Sequence, residues 1–251
     1  MKRLQRIFTG GKALVIFDSC GAPDMTESEA RLEEIIAHGA DILELGIPFS
    51  DPMADGPVIQ QASQQALRAG ATLEKILDMA GRIRQRHMET GMIAFGYYNI
   101  FLQYGIPKLF RRLRELDIDG ILIVDLPYEE REEVAPEAKK NGISLIPLIG
   151  PSTDIERAKM LTADADGFVY CINARGVTGA RAQLPPELSD RLDALRRVSP
   201  VPVAAGFGIA DAASAAAISR HADAVVVGSA AVRLSRPALG KFIRSLKNAL
   251  I

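Results

Sequence analysis

The sequence predicts an α/β fold in which a short buried strand and a helix alternate eight times. Three observations support this prediction. Eight apolar runs are about one strand long and show little in-out alternation, as parallel strands covered on both faces do. Helical segments with recognisable starts and stops separate these runs. Glycine phrases follow the seventh and eighth runs, where barrels of eight parallel strands frequently bind phosphate.

The predicted strands are mainly apolar. They cover Ala13–Phe17, Asp41–Leu45, Met92–Gly96, Ile121–Asp125, Ser144–Leu148, Gly167–Cys171, Val201–Ala205 and Ala224–Gly228. In the first helical segment Thr26 and Glu29 have the spacing of a capping box, and Gly39 is a C-terminal stop. The other helices are predicted near Pro57, over Leu73–Arg86, after Pro107, and over Tyr128–Lys140, Ile155–Leu161, Pro186–Arg197, Asp211–Ser219 and Pro237–Leu250.

This alternation fits either a closed (β/α)8 barrel or an open doubly wound sheet, and periodicity alone cannot choose between them. The glycine phrases favour the barrel, in which catalytic groups lie at the C-terminal ends of the strands. No composition shift or flexible linker divides the chain. We therefore predict a single (β/α)8 TIM barrel domain over residues 1–251, a typical length for this fold.

Composition excludes several classes of function. Apolar residues make up 48% of the chain and charged residues 24%, which is ordinary for a globular protein with a large core. The formal net charge of -1 argues against general nucleic-acid binding. No apolar stretch reaches membrane-spanning length, and the N-terminal apolar run is too interrupted for a secretory signal. We expect a cytoplasmic protein.

No residue pattern indicates a metal site. Cys20 and Cys171 are the only cysteines and have no metal-ligand spacing, so reduced, buried thiols are expected. The three histidines, His38, His87 and His221, lie at predicted helix ends or on surface helices, where the helix dipole favours a C-terminal cation. We predict no metal.

Two acids stand near the end of the second predicted strand, in the phrase Leu43-Glu44-Leu45-Gly46-Ile47-Pro48-Phe49-Ser50-Asp51-Pro52-Met53-Ala54-Asp55-Gly56-Pro57. Burial raises the pKa of a strand-end carboxyl towards values useful for proton transfer. Asp55, on the proline-rich loop, can instead keep its charge and hold another part of the ligand. An ion pair at Glu44 and a helix cap at Asp55 are the alternative.

The glycines after the last two strands fit a phosphate, because backbone N–H groups without a side chain can approach an oxyanion closely. The phrases are Gly206-Phe207-Gly208 and Gly228-Ser229, with Gly179 on the preceding loop. One such phrase could merely permit a tight turn. Two of them on adjacent loops favour a phosphate site.

The phrase around Glu44 resembles the signature of the tryptophan synthase alpha subunit family. Five further phrases follow in that family's order and at about its spacing: Phe95-Gly96-Tyr97-Tyr98-Asn99, Val124-Asp125-Leu126-Pro127, Gly176-Val177-Thr178-Gly179, Gly206-Phe207-Gly208-Ile209 and Gly228-Ser229-Ala230. The resemblance covers essentially all 251 residues. It implies a TIM-barrel lyase of tryptophan biosynthesis that cleaves indole-3-glycerol phosphate to indole and glyceraldehyde 3-phosphate.

The resemblance also implies roles for residues. Glu44 protonates the indole carbon that carries the side chain and removes the proton of the adjacent hydroxyl. Asp55 accepts the indole N–H and stabilises positive charge on the ring. Thr178 belongs to a loop that closes over the substrate and can lock Asp55. The residues implied in substrate binding are Phe17, Tyr97, Asp125, Tyr170, Thr178, Gly179, Gly206, Phe207, Gly208, Gly228 and Ser229.

A beta subunit is the partner that the resemblance implies, in an alpha2-beta2 heterotetramer with contacts near Pro48, Asp51 and Pro127. The chain itself is expected to need no cofactor, and the pyridoxal phosphate of tryptophan synthesis belongs to the beta subunit. Three alternatives stay open: a stand-alone indole-releasing lyase, a different phosphate-binding barrel enzyme, and a non-catalytic activator. The two acids argue against the last two.

The chain departs from the family pattern in places. Asp18-Ser19-Cys20-Gly21-Ala22 stands where members usually carry an apolar residue, then Thr, and an Asp before the proline. Asn173-Ala174-Arg175 replaces a smaller or Ser-containing approach to the Gly-Val-Thr-Gly loop, and Ile100 stands where proline is common. These differences concern loop closure and its regulation, since the two acids and the glycine loops are intact.

Overall fold

The computed structural model describes residues 2–172, 186–206 and 208–250. These ranges contain nine strands, and every paired strand runs parallel to its neighbour. The strands are β1 (Ala13–Ser19), β2 (Ile42–Gly46), β3 (Gly91–Gly96), β4 (Gly120–Ile123), β5 (Ser144–Leu145), β6 (Leu148–Ile149), β7 (Val169–Ile172), β8 (Val203–Gly206) and β9 (Ala224–Val227).

The sheet closes on itself through the segment that holds β5 and β6. The strand order is β5-β4-β3-β2-β1-β9-β8-β7-β6, so only residues 146 and 147 separate its two edges. The Ile146 N–H donates to the Ile121 carbonyl at 2.9 Å on one side, and the Tyr170 N–H donates to the Pro147 carbonyl at 2.9 Å on the other. Eight strand positions therefore form a barrel, which confirms the predicted fold class.

One predicted strand is interrupted. Ser144–Leu148 was predicted as continuous, but the structure has two short pieces on either side of Ile146 and Pro147. Pro147 has no N–H to donate to a neighbouring strand, which explains a break at this point. The segment pairs with β4 before the break and with β7 after it.

Helices follow the strands around the barrel. They are α1 (Arg3–Thr9), α2 (Met25–Ala37), α3 (Pro57–Arg68), α4 (Leu73–Arg86), α5 (Tyr98–Tyr104), α6 (Ile106–Glu115), a 3-10 helix (Tyr128–Glu133), α7 (Ala135–Asn141), α8 (Ile155–Thr162), α9 (Pro186–Val198), α10 (Ala212–Ser219), α11 (Ser229–Val232) and α12 (Arg236–Ala249). The bounds of α4 agree with the prediction, and the Thr72 hydroxyl accepts the Lys75 N–H at 3.3 Å as its cap. None of these helices combines the length and apolar character that a membrane crossing requires.

Two helix predictions were wrong in detail. The predicted helix Tyr128–Lys140 is a 3-10 helix followed by α7, because Pro136 cannot donate a hydrogen bond inside a helix and instead lies in the first turn of a new one. The cap of α2 is Asp24 and not Thr26. The Asp24 carboxylate accepts the N–H groups of Thr26 and Glu27, both at 2.9 Å.

The core has two layers, because successive side chains of a strand point to opposite faces. One cluster fills the barrel and includes Val15, Ile42 and Ile93. The larger cluster lies between the strands and the helices and includes Leu14, Ile16 and Leu43. The alternation places Phe17 and Glu44 on the barrel side of their strands and Asp18 on the helix side. Cys20 and Cys171 are buried and free.

Candidate active site

Glu44 lies inside the barrel on β2, with its side chain fully buried. Its neighbours in the sheet register are Phe17 on β1 and Ile93 on β3. Neither carboxyl oxygen of Glu44 has a hydrogen-bond partner among the residues that the structure describes. Buried polar groups almost always have a partner, so an unpaired carboxyl within a barrel indicates a functional group and not a structural ion pair.

Burial raises the pKa of Glu44 from 4.5 to about 8. Removing the carboxylate from water disfavours its charged form, and no hydrogen bond or cation among the described residues compensates for this. The carboxyl therefore keeps its proton at neutral pH. This is the property that the sequence predicts for a general acid at the end of a buried strand.

We expect Glu44→Gln to raise the melting temperature more at pH 8 than at pH 5. In the unfolded chain the carboxyl has its ordinary pKa of 4.5, whereas in the folded protein the pKa is about 8. The contribution of the Glu44 carboxyl to the free energy of unfolding is therefore fully present below pH 4.5. It is lost as the pH rises towards 8, by at most about 1.4 kcal/mol per pH unit. The amide of the variant does not titrate. Calorimetry of both proteins across this range measures the effect, and an equal difference at both pH values would contradict it.

Asp55 lies half-buried on the loop between β2 and α3, and the Tyr97 side chain holds it. The Tyr97 hydroxyl donates to Asp55 Oδ2 at 2.9 Å and accepts the Ala54 N–H at 3.0 Å. Burial raises the pKa of Asp55, and the hydrogen bond from Tyr97 opposes that rise. The resemblance implied Tyr97 only as a substrate-binding residue, and its hydrogen bond to Asp55 was not predicted.

Aromatic side chains surround a cavity at the C-terminal ends of β1, β2 and β3. The rings of Phe17 and Phe95 meet edge to face with centroids 5.1 Å apart, and Phe49 stacks on Tyr97 at 5.0 Å. The residues that line the cavity are Phe17, Ser19, Gly46, Ile47, Phe49, Pro52, Asp55, Ile59, Ser63, Phe95, Gly96 and Tyr97. The structure thus brings the predicted residues Phe17, Tyr97 and Asp55 to one cavity, and it adds Phe49, Phe95 and Ile59.

Tyr170 enters the barrel from β7, opposite β2. Burial raises the pKa of its hydroxyl well above the ordinary value, and the negative charges of Glu44 and Asp55 add to the rise. A β-carbon on Gly206 would lie 2.6 Å from the Tyr170 hydroxyl oxygen. Glycine at position 206 therefore makes room for this hydroxyl, which is a packing reason in addition to the predicted role in phosphate binding.

Gly208 and Gly228 also belong to the predicted phosphate loops, and the structure gives a different account of why glycine stands at each position. Gly208 has a φ of +64°, a conformation that favours glycine. A β-carbon on Gly228 would make only ordinary contacts, at 3.7 Å from Phe17 and 3.8 Å from Ile59. Packing does not demand glycine there, which is consistent with a ligand that approaches the backbone. Ser229 begins α11 directly after Gly228. The predicted residues Phe207, Thr178 and Gly179 lie outside the described residues.

Asp125 lies beyond the end of β4 and is exposed. Its Oδ1 accepts the N–H of Tyr98, the first residue of α5, at 2.7 Å. The carboxylate thus joins the loops that follow β3 and β4. Its predicted role in substrate binding stays a prediction.

The histidines have protein partners and lie where the sequence placed them. His38 and His87 follow the ends of α2 and α4, and His221 follows α10. They lie 3.4 Å, 2.5 Å and 3.0 Å from carboxylates of Glu34, Glu33 and Asp193. Within the described ranges, no three His, Cys, Asp or Glu side chains are grouped as a metal site would require.

A cavity of about 780 Å³ lies outside the barrel, where α7 and α8 face the segment of β5 and β6. Of the residues predicted for catalysis or substrate binding, none that the structure describes lines it. The arginines along it, Arg131 and Arg157, pair with Asp164 and Glu129.

Comparison with known proteins assigns the family. A family model described as "Tryptophan synthase alpha chain" matches residues 5–247. The chain belongs to this family. The tryptophan synthase alpha chain of Geobacter sulfurreducens is 43% identical over 243 residues, which cover 95% of this chain and 92% of that one. The tryptophan synthase alpha chain of Neisseria meningitidis serogroup B is 39% identical, and the match covers all of both chains.

Solved structures agree with this assignment to the tryptophan synthase alpha chain family. The subunit alpha of Legionella pneumophila has a TM-score of 0.91 at 32% identity and covers 100% of this chain and 98% of its own. A chain of Mycobacterium tuberculosis tryptophan synthase has a TM-score of 0.91 at 32% identity, with coverage of 99% and 98%. The resemblance seen in the sequence and the TIM-barrel fold are both confirmed.

Proposed function

We propose that Glu44 and Asp55 carry out the reaction of the tryptophan synthase alpha family in this chain. The chain is a carbon–carbon lyase of tryptophan biosynthesis, and it cleaves indole-3-glycerol phosphate to indole and glyceraldehyde 3-phosphate. The observation that supports the catalytic assignment best is Glu44 itself, a fully buried carboxyl without a partner among the described residues.

Glu44 acts first as an acid and then as a base. With a pKa of about 8 it is protonated at neutral pH and can donate its proton to the indole carbon that carries the side chain. The bond between this carbon and the side chain then breaks, and its electron pair restores the aromatic ring. The Glu44 carboxylate takes the proton of the adjacent hydroxyl as the aldehyde forms. One proton is added and one removed, so the group returns to its starting state.

Asp55 stabilises the positive charge that develops on the ring after protonation. A carboxylate that accepts the ring N–H is most effective when it is already in position. The hydrogen bond that the Tyr97 hydroxyl donates to Asp55 fixes the position of this carboxylate. Backbone N–H groups near Gly206, Gly208 and Gly228 bind the phosphate.

The function is tested by incubating the chain with indole-3-glycerol phosphate and measuring indole, with and without a cognate beta subunit. We expect indole and glyceraldehyde 3-phosphate in equal amounts in both assays. Absence of indole under both conditions would contradict the proposed function. Full activity of the isolated chain, with no response to a beta subunit, would instead indicate a stand-alone lyase.

A beta subunit is the proposed partner, in an alpha2-beta2 heterotetramer. The surface that supports this proposal contains Asp51, Met53 and Pro127, which are all exposed, whereas Pro48 is buried. Met53 has 83% of its surface exposed, so an apolar side chain is available for contact on this loop. We expect no cofactor in this chain, pyridoxal phosphate only in the beta subunit, and a cytoplasmic location.

We expect a cognate beta subunit to raise the rate of indole formation, and Pro127→Arg to suppress this increase while the basal rate stays unchanged. Coupling between sites is typically worth about 5–150-fold. Docking on the loop of Asp51 would favour one position of Asp55, and an arginine at 127 would prevent close contact. The assay is indole formation against beta-subunit concentration.

The matched control is Pro200→Arg. Pro200 is also an exposed proline, but it precedes β8 and lies at the opposite end of the barrel. We expect normal activation of this variant. Equal activation of both variants would exclude Pro127 from the interface.

A further inference from the structure

A buried ion pair between Asp18 and Arg31 lies just outside the barrel, behind the candidate site. Asp18 is 2% exposed and Arg31 is 7% exposed. Phe17 points into the barrel, so Asp18, the next residue of β1, points to the helix side, where Arg31 of α2 meets it.

Arg31 links this carboxylate to the segment that follows β9. Its Nε and Nη2 donate to the two oxygens of Asp18, each at 2.9 Å. Nη1 donates to the Leu234 carbonyl at 2.6 Å, and Nη2 also donates to the Ala231 carbonyl at 3.2 Å. The planar guanidinium has a fixed fork geometry, so Asp18 on one side determines where the two carbonyls lie on the other.

The segment that Arg31 holds begins at the predicted phosphate contacts Gly228 and Ser229. It is a single tight turn: the N–H groups of Ala231 and Val232 donate to the Gly228 carbonyl at 2.8 Å and 3.1 Å. The position of its end therefore determines the position of its start. Phe17 lies against Gly228 on the barrel side. Two adjacent residues of β1 thus support the segment, one directly and the other through Arg31.

Stability alone does not account for the pair. Replacing a buried ion pair by apolar side chains of similar volume is often neutral or stabilising, because the desolvation cost of both charges disappears. An apolar pair, however, cannot donate hydrogen bonds to the carbonyls of Ala231 and Leu234. What the ion pair adds is a defined position for the segment that they belong to.

We propose that Arg31, oriented by Asp18, is a positioning residue that holds the Gly228–Leu234 segment in place for binding the substrate phosphate. This inference rests on the proposed function, because it assumes a phosphorylated substrate at Gly228 and Ser229. It adds two residues that do not contact the substrate and that act on its affinity through the backbone.

The test is Arg31→Lys, with the affinities of glycerol 3-phosphate and indole measured separately by calorimetry. Lysine keeps the charge but loses the fork. We expect glycerol 3-phosphate to bind about 10-fold to 100-fold more weakly, the order of loss that a small misplacement causes. We expect indole affinity to stay unchanged. In the indole-release assay KM should rise by a similar factor, with kcat changed by less than about twofold, because the phosphate is remote from the breaking bond.

The matched control is Arg84→Lys. Arg84 is equally buried, donates from Nη2 to Asp119 at 2.9 Å and from Nη1 to the Thr90 carbonyl at 2.7 Å, and lies at the opposite end of the barrel. It should lower the melting temperature without changing glycerol 3-phosphate affinity. A double variant, Asp18→Val with Arg31→Leu, removes both charges together and should keep the fold while showing the same loss of affinity as Arg31→Lys.

Wild-type affinity of Arg31→Lys and of the double variant for glycerol 3-phosphate would overturn the inference. So would an equal loss for glycerol 3-phosphate and indole, which would indicate a general structural defect. These outcomes differ from failure of the proposed function, in which the wild-type protein itself releases no indole and binds no glycerol 3-phosphate.

Discussion

Glu44→Gln should abolish most indole release while leaving the fold intact. Glutamine has nearly the shape of glutamate but can neither donate the carboxyl proton nor take one back. General acid–base groups typically contribute about 10²–10⁴-fold to the rate, and Glu44 is proposed to act in both directions, so we expect a loss at or above the upper end of this range. The measurement is kcat for indole formation, with circular dichroism to verify the fold.

An exposed glutamate provides the control for this exchange. The Glu89 side chain is 83% exposed, whereas the Glu44 carboxyl is buried. Glu89→Gln should therefore leave kcat unchanged. Burial of the Glu44 carboxyl is not compensated by a hydrogen bond or a cation among the described residues. Replacing it with an amide should therefore also stabilise the protein at pH 8. A Glu44→Gln variant that keeps near-normal turnover would remove this residue from the mechanism.

Asp55→Asn should lower kcat/KM by about 10²–10³-fold, the usual effect of removing one preorganised group that stabilises charge in the transition state. The amide retains the size of the carboxylate and can still accept the hydrogen bond from Tyr97. The variant loses only the negative charge that stabilises the positive charge on the protonated ring. Steady-state kinetics with indole-3-glycerol phosphate measures this loss, and an unchanged kcat/KM would show that the charge of Asp55 is not used.

Tyr97→Phe tests how much the position of the Asp55 carboxylate contributes to the rate when its charge is kept. The variant keeps the ring that stacks on Phe49 but removes the hydroxyl that bridges Asp55 and the Ala54 N–H. We expect a smaller loss, about 10-fold, because the carboxylate remains but is less well oriented. A loss as large as that of Asp55→Asn would mean that position matters as much as charge.

Short-range sequence patterns predicted helices and strands correctly where no other feature of the chain opposes the pattern. The predicted bounds of α4 agree with the structure, in which Thr72 caps the helix and its buried apolar residues follow the helical period. The helix from Tyr128 to Lys140 and the strand from Ser144 to Leu148 were wrong in the same way, since a proline lies within each and its effect on the backbone outweighs the apolar pattern.

The candidate site likewise has some features that short-range sequence patterns predicted and others that they did not. Glu44 and the glycine loops could be predicted because a strand end in a parallel barrel always faces the same rim. The hydrogen bond from Tyr97 to Asp55 joins residues 42 positions apart, and Arg31 reaches a carbonyl 203 positions away. No local pattern encodes such pairs.

By itself, the sequence determined the family, the alternation of strands and helices, and the two acids at the rim, because these depend on residue type and short-range order. Only the tertiary structure decided that the barrel closes at Pro147, that both oxygens of Glu44 lack a partner among the described residues, and that Asp18 is paired with Arg31. The physical reason is that solvation and hydrogen-bond partners are set by side chains from distant parts of the chain, which meet only when the barrel closes.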